Sequence, residues 1–307
     1  MEHEKLKQLS PFLKPAISFQ PMTSGFSRDR TFLVTTSSNE KLVLKLSDIQ
    51  TYTCFKIKAS VQRKLKDQGI LCSEVIEIGR SAELNCTYRI LSYLEGENAR
   101  ASIQLLTNEE QYEIGSRAGR ELSLMHTCHA PSHVRPWGDR VMEKHERYVH
   151  AYQSSGVTFS HDQFVLDFIK SHADAVKERP NQFQHDDFHL GNIIIQGNQY
   201  AGVIDFDQSD WGDPVHDFYK LSLFSRENSI PFSAGQLDQY ESTQSSNNFW
   251  LLFSIYTAMS CFSSIVWTLS YDPGHLKDML NRVERMLIDH NSFHELKPVW
   301  YTNWQHS

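Results

Sequence analysis

The sequence predicts an α+β protein of two lobes, a small strand-rich lobe over residues 1–94 and a larger, mainly helical lobe over residues 95–307. Three observations lead there. Residues 31–36 and 41–46 are strand-like runs that flank Ser37–Glu40, a hairpin pattern. After Glu95-Gly96 the apolar period changes from two to that of helices. With 307 residues the chain is long enough to bury a core in each of two lobes. Strands first and helices after are the order expected of an α+β architecture.

Taken in order, the hairpin strands Thr31–Thr36 and Lys41–Leu46 precede a helix expected over 52–66 and closed by Gly69. Strands follow over 74–79 and 86–93, and the change of character near Leu94–Asn98 marks a hinge. Helices are expected over 108–127, 139–153 and 161–178. Asn192–Ile195 and Tyr200–Asp205 then read as two short apolar strands around a Gly-Asn turn. Further helices complete the chain. One of them, Phe249–Tyr271, has no charge over 23 residues, the length of a bilayer span. Ser254, Thr257, Cys261, Ser264 and Thr268 recur along it at helical spacing, so a helix buried inside the lobe is expected, with no membrane partner.

Composition excludes more than it identifies. The net charge of −7 leaves no basic footprint for nucleic acid. The five cysteines, at 54, 72, 86, 128 and 261, are scattered and never form a Cys-x-x-Cys pair. That suits a reduced cytoplasm better than a disulfide framework or zinc site, and the N-terminal residues contain no apolar signal region. The sequence leaves the oligomeric state open. His145 and His150 are spaced i, i+5, unlike the i, i+4 pair of a zinc protease helix, and read as a solvated helix face.

The chemistry sits in His185-Asp186-Asp187-Phe188-His189-Leu190-Gly191-Asn192, followed by Val203-Ile204-Asp205-Phe206. An aspartate stands five residues before an asparagine, and a second aspartate thirteen after it. Phosphoryl transfer from ATP needs these parts: a carboxylate to receive the acceptor's proton and two oxygen ligands for Mg²⁺. A hairpin centred between Asn198 and Gln199 would set Asn192 opposite Asp205. Their Cβ atoms would then lie roughly 4.5–5.5 Å apart, close enough to share a metal, with Asp187 in the loop entering the hairpin.

This string resembles the Brenner-type motif of the aminoglycoside phosphotransferase and small-molecule kinase superfamily, a branch of the protein-kinase-like fold. Its usual form is His-Gly-Asp, four residues, Asn, then Ile-Asp-Phe or Ile-Asp-Trp, then Gly-Asp-Pro and an Asp. The last part appears as Gly212-Asp213-Pro214-Val215-His216-Asp217, and Asp186 replaces the usual glycine. The resemblance implies a two-lobed kinase-like fold using ATP and Mg²⁺. It makes Asp187 the catalytic base, Asn192 and Asp205 the metal ligands, and Lys45 the contact to the ATP phosphates. It puts Ser24 and Gly25 in a phosphate-covering turn and Ser92, Tyr93 and Leu94 in the adenine-binding hinge. His185 and Asp217 become supports of the catalytic loop.

Several of these positions have plainer readings. Lys41, Val43 and Lys45 share one strand face, which could simply be solvated. The glutamate that usually pairs with such a lysine is missing, since no Glu occurs between Lys45 and Gly69; Gln50 and Gln62 are the nearest polar stand-ins. Asp207 follows Asp205 closely enough to assist a second Mg²⁺, and Asp213 reads as a turn or helix cap. The expected activity is O-phosphorylation of a small molecule, aminoglycoside-like or another hydroxylated amine, with the preference between ATP and GTP left open. Glu227, Asp238 and Glu241 are candidates for attracting that amine. Two rivals remain: an inactive kinase-like binding protein, suggested by Asp186 and the missing glutamate, and a metal-dependent hydrolase using His185, Asp186 and His189.

Overall fold

The computed structural model describes residues 2–22, 29–243 and 248–305. Two compact units are present: Met1–Gly96 with Ala201–Asp207, and Glu97–Tyr200 with Gln208–Ser307. Ser24, Gly25 and the rest of the expected phosphate-covering turn lie outside the described residues.

The first unit begins with a short helix, α1 (Glu2–Lys7), and five strands follow: β1 (Ala16–Met22), β2 (Arg30–Thr36), β3 (Lys41–Asp48), β4 (Val75–Ser81) and β5 (Cys86–Ser92). They form one antiparallel sheet in the order β1-β2-β3-β5-β4. The turn between β2 and β3 works because Asn39 adopts φ +63, a region asparagine tolerates. Side chains alternate across the sheet. Leu42, Leu44 and Leu46 of β3 enter one core with Leu13, Phe19, Val34 and Ile90. Val43 faces the other side, where Val75, Leu91 and Ala59 of helix α2 (Tyr52–Asp67) pack. Lys45 is on that second face, and its side chain is only 13 % exposed, so the face is covered by a helix rather than solvated. Val203 ties the returning segment to this unit, its N–H donating to the Leu71 carbonyl at 2.9 Å.

The second unit starts with β6 (Glu97–Asn98), α3 (Ala99–Ser102), α4 (Asn108–Met125), α5 (Trp137–Ser154) and α6 (Asp162–Ser171). A capping box opens α4: Thr107 Oγ1 accepts from Glu110 N, and Glu110 accepts from Thr107 N. The helix expected over 161–178 breaks at His172, because Ser171 Oγ donates to the Phe168 carbonyl and takes it from the ladder. Next come β7 (Gln182–Gln184), β8 (Ile193–Gln196), β9 (Gln199–Val203), which from Ala201 on belongs to the first unit, and β10 (Asp210–Gly212), then α7 (Ile230–Thr243), α8 (Phe249–Tyr271), α9 (Leu276–Asp289) and α10 (Val299–Gln305). Helices α4 and α7 pack at backbone distance: a Cβ on Gly115 would strike the Phe232 carbonyl, and one on Gly235 the Tyr112 carbonyl. The uncharged helix α8 is a core element, with 78 % of its apolar window buried. Its small polar stripe finds partners inside the unit, Ser254 donating to Leu296 O and Thr268 to Ser264 O. His145 of α5 is buried with its ring against Phe262, not on a solvated face.

The expected pairing of Asn192 with Asp205 does not form. Asn192 closes a short 3₁₀ turn, Leu190–Asn192, and β9 ends at Val203. Asp205 follows with φ +67, a left-handed backbone that cannot continue a strand ladder.

Candidate active site

In the first unit, register creates the site. Lys45 of β3 is directly paired with Arg89 of β5, which sets two cations side by side under α2. Like charges in that position repel, and the carboxylates of the returning segment relieve it. Lys45 Nζ donates to Asp205 Oδ1 and to Asp207 Oδ2, each at 2.8 Å. Arg89 reaches Asp207 through Nη1 and, at 3.2 Å, through Nη2, which also bonds Asp29 Oδ2 at 2.9 Å. Helix α2 adds the Phe55 ring, 3.6 Å from the Arg89 guanidinium carbon, and Lys58, whose Nζ donates to Asp207 O at 2.5 Å. Burial works against the Lys45 ammonium, but Asp207 and Asp205 outweigh it and raise its pKa. Burial likewise opposes the Asp207 carboxylate, yet Lys45 and Arg89 hold it well below the usual range. Asp205 is pushed up by burial and by its neighbour Asp207 despite Lys45.

The partners of Lys45 are carboxylates, Asp205 and Asp207, and not a glutamine. Gln62 donates to Ser73 O and Oγ, and the Gln50 N–H is used in capping by Asp48. Asp207 has both carboxylate oxygens on Lys45 and Arg89, which argues against a second-metal role. At the hinge positions, Ser92 exchanges hydrogen bonds with Glu74, Tyr93 lies under Lys41, and Leu94 is half-buried. Ser92 is therefore committed to the sheet, leaving the backbone of Tyr93 and Leu94 beyond the end of β5.

In the second unit, β7 pairs antiparallel with β10, from Gln182↔Gly212 to Gln184↔Asp210. Because the strands run antiparallel, His185 follows at the Asp210 end of the pair and Asp213 at the Gln182 end, and Asp217 arrives beneath the loop that His185 begins. Fully buried, Asp217 accepts from His185 N at 2.9 Å, Asp186 N at 2.6 Å and His126 Nε2 at 3.0 Å. Asp213 caps the turn after it through Val215 N and also holds a buried ion pair with Arg179 and a bond from Tyr256.

Asp187 emerges from this loop with defined partners. Asn192 Nδ2 donates to Asp187 Oδ2 at 2.7 Å and to its carbonyl at 2.9 Å. Lys220 Nζ is 2.8 Å from Asp187 Oδ1, and His189 Nε2 is 3.3 Å from the same atom. Burial opposes its charge, but Lys220 and His189 hold the carboxyl well below its ordinary pKa, so it is ionised at neutral pH. Asp186, at φ +56, has looser neighbours: His216 Nδ1 at 3.3 Å, Tyr219 Oη at 3.4 Å and Lys144 Nζ at 3.9 Å.

Each unit, taken by itself, offers a hard oxygen donor. With Nδ2 committed to Asp187, Asn192 presents its amide oxygen as the remaining donor. Asp205 accepts from Lys45 Nζ through Oδ1. Hard oxygen donors, few in number and completed by phosphate and water, are what Mg²⁺ takes. Among the described residues no three His, Cys, Asp or Glu side chains gather as a metal cluster, so the histidine-rich centre needed by a hydrolase is not assembled there.

The model of the phosphotransferase enzyme family, APH, matches residues 18–249. The chain belongs to that family. This phosphotransferase has the kinase-like fold of solved aminoglycoside phosphotransferases. A thermostable mutant of aminoglycoside phosphotransferase APH(4)-Ia, in ternary complex with AMP-PNP and hygromycin B, is 15 % identical with a TM-score of 0.71 over 95 % of this chain and 98 % of that one. The gentamicin complex of APH(2″)-IIa is 16 % identical, TM-score 0.66, over 92 % and 95 %. The GDP complex of wild-type aminoglycoside 2′-phosphotransferase-IIIa is 11 % identical, TM-score 0.66, over 93 % and 98 %. No curated protein sequence matches the chain.

Membership in an enzyme family of phosphotransferases excludes the hydrolase reading and sets aside the inactive one. Sequence reasoning missed two cations of this phosphotransferase, Arg89 and Lys220. Arg89 carried a signal, a charge in the middle of the apolar strand Cys86–Ser92; Lys220, three residues past Asp217, carried none. The three acids considered as an amine lure are spoken for. Glu227 is clamped by Arg282 and Arg285, Asp238 accepts from Tyr112 and Tyr301, and burial raises the Glu241 pKa.

Proposed function

We propose that this phosphotransferase moves the γ-phosphoryl group of ATP to a hydroxyl of a small hydroxylated amine, with Mg²⁺ as cofactor, in the cytoplasm. The observation that carries the reading is Asp187, ionised, on a loop held by Asp217 and oriented by Asn192 and Lys220. Asp187 orients the acceptor hydroxyl and takes its proton. Lys45 contacts the phosphates, Asp205 and Asn192 are the Mg²⁺ ligands, and backbone groups at Tyr93 and Leu94 meet the adenine. Magnesium supplies charge neutralisation on the phosphates; the chain supplies positioning, the main resource of phosphoryl transfer.

An amine-bearing acceptor is supported by the aminoglycosides in complex with the structural neighbours, hygromycin B and gentamicin. Asp186 adds support as a second carboxylate beside the base, with partners no closer than 3.3 Å. The five cysteines are free, four of them buried, as suits a reducing compartment.

The test is an ATP-consumption screen across aminoglycosides, amino alcohols, amino acids and sugars. Asp187→Asn should lower turnover of the acceptor found by about 10²–10⁴-fold while leaving nucleotide affinity nearly unchanged. Turnover of a neutral sugar with all amines inert would refute the acceptor class, and near-normal turnover by the variant would remove Asp187 from the mechanism.

A further inference from the structure

Helix α2 carries no glutamate, yet Lys45 is held firmly, and the means of holding it is a buried chain of alternating charges. It runs Lys45, Asp207, Arg89, Asp29, with separations of 2.8 Å between Lys45 and Asp207 and 2.9 Å between Arg89 and Asp29. Arg89 is 5 % exposed and has three restraints: the carboxylate of Asp207, the carboxylate of Asp29 and the face of Phe55. Ser47 Oγ also donates to Asp29 and accepts from Arg89 Nη2 at 3.2 Å, closing the far end.

We propose that Asp207, anchored by Arg89, takes the place of the absent helix carboxylate and that Arg89 is a positioning residue for the nucleotide phosphates, acting through Lys45. The inference rests on the ATP-binding reading above. Its physical basis is the planar fork of the guanidinium, which fixes a carboxylate in direction as well as distance. Lys45 has two carboxylate partners. Asp205 is the one assigned to the metal, so when Mg²⁺ and nucleotide are bound Asp207 is the partner that stays with the lysine. An Asp207 with no anchor would follow the ammonium or turn to the metal, and Lys45 would lose its orientation. Arg89 prevents both by occupying the two carboxylate oxygens from the opposite side. Helix α2 contributes to the same end without a carboxylate, through the Phe55 ring on Arg89 and the Lys58 bond to the Asp207 carbonyl.

The experiment measures binding of Mg·AMP-PNP and of adenosine, by calorimetry, to wild type, Arg89→Met, Asp207→Asn, Lys45→Met and the doubles Arg89→Met/Lys45→Met and Asp207→Asn/Lys45→Met. Loss of a charge-assisted contact predicts about 10-fold weaker Mg·AMP-PNP binding for Arg89→Met and for Asp207→Asn. Adenosine, which has no phosphates, should bind all variants like wild type. In the Lys45→Met background the second substitution should cost nothing further, because its effect passes through the lysine. Arg89→Lys should recover only part of the affinity, since it restores charge without the fork. If Arg89→Met proves too unstable to purify, Asp207→Asn and its double decide alone. Equal losses for adenosine and Mg·AMP-PNP, or losses that add to that of Lys45→Met, would show a structural role only and overturn the proposal. A wild type that binds neither ligand would instead overturn the ATP-binding reading itself.

Discussion

Replacing Asp217 by asparagine changes one atom in a fully buried side chain, and the structure allows its cost to be worked out. Oδ2 accepts from His185 N and from His126 Nε2, while Oδ1 accepts from Asp186 N. An asparagine offers one acceptor oxygen and one NH₂. If the NH₂ replaces Oδ1, the Asp186 N–H meets a donor. If it replaces Oδ2, the His185 N–H does; His126 can adapt by exchanging tautomers, because its Nδ1 faces the Tyr240 hydroxyl, which can donate or accept. Either orientation orphans one buried backbone N–H, at about 1–3 kcal/mol, and weakens the remaining bonds from charge-assisted to neutral, at about 1 kcal/mol in all. The expected total is about 3 kcal/mol, or a fall in Tm of roughly 5–10 °C for a unit of this size. Urea denaturation followed by tryptophan fluorescence, with thermal unfolding alongside, measures it. Because the orphaned groups belong to the residues leading into Asp187, phosphotransfer should fall more steeply than stability alone requires. A change below about 0.5 kcal/mol would refute the reasoning, since ordinary surface substitutions have effects of that size.

Three other outcomes follow from the same structure. Asp205→Ala should weaken Mg²⁺-dependent AMP-PNP binding more than Asn192→Ala, because it removes a charged rather than a neutral oxygen; calorimetry showing equal Mg²⁺ affinity for wild type and Asp205→Ala would reject Asp205 as a ligand. Burial lowers the pKa of both His145 and His290 to about 4, so the folded protein keeps them neutral while the unfolded chain protonates below about 6.5. The unfolded state then binds more protons, and stability should be full above pH 6.5 and fall as pH drops toward 4, by about 2 kcal/mol per histidine at pH 5; His145→Gln should flatten the urea midpoint against pH, and an unchanged slope would contradict the assignment. Gly115→Ala should lower stability by about 2 kcal/mol or more, because its Cβ meets the Phe232 carbonyl and forces α4 from α7; a Tm equal to wild type would show that the two helices can part without cost.

Local pattern determined much of this protein. The strand-like runs of residues 31–46, the change to helical period after Gly96 and the uncharged run Phe249–Tyr271 each record a local preference and a buried face, which a single segment carries in its own residues. The string from His185 to Asp217 likewise exposed the chemistry, because a base, an amide oxygen and a carboxylate stand there at short and ordered spacings.

Contacts between distant segments were decided only in three dimensions. The pairing of Lys45 with Arg89 depends on the register of β3 against β5, and Asp207 meets both because Val203 is tied to Leu71. Lys220 reaches Asp187, and Arg282 and Arg285 disarm Glu227, for the same kind of reason. Sequence spacing reports which side chains share a face, whereas the neutralisation of a buried charge depends on whichever segment folds against that face. His145 shows the difference in one residue: its helical spacing suggested solvent, and the packing of α5 on Phe262 made it core.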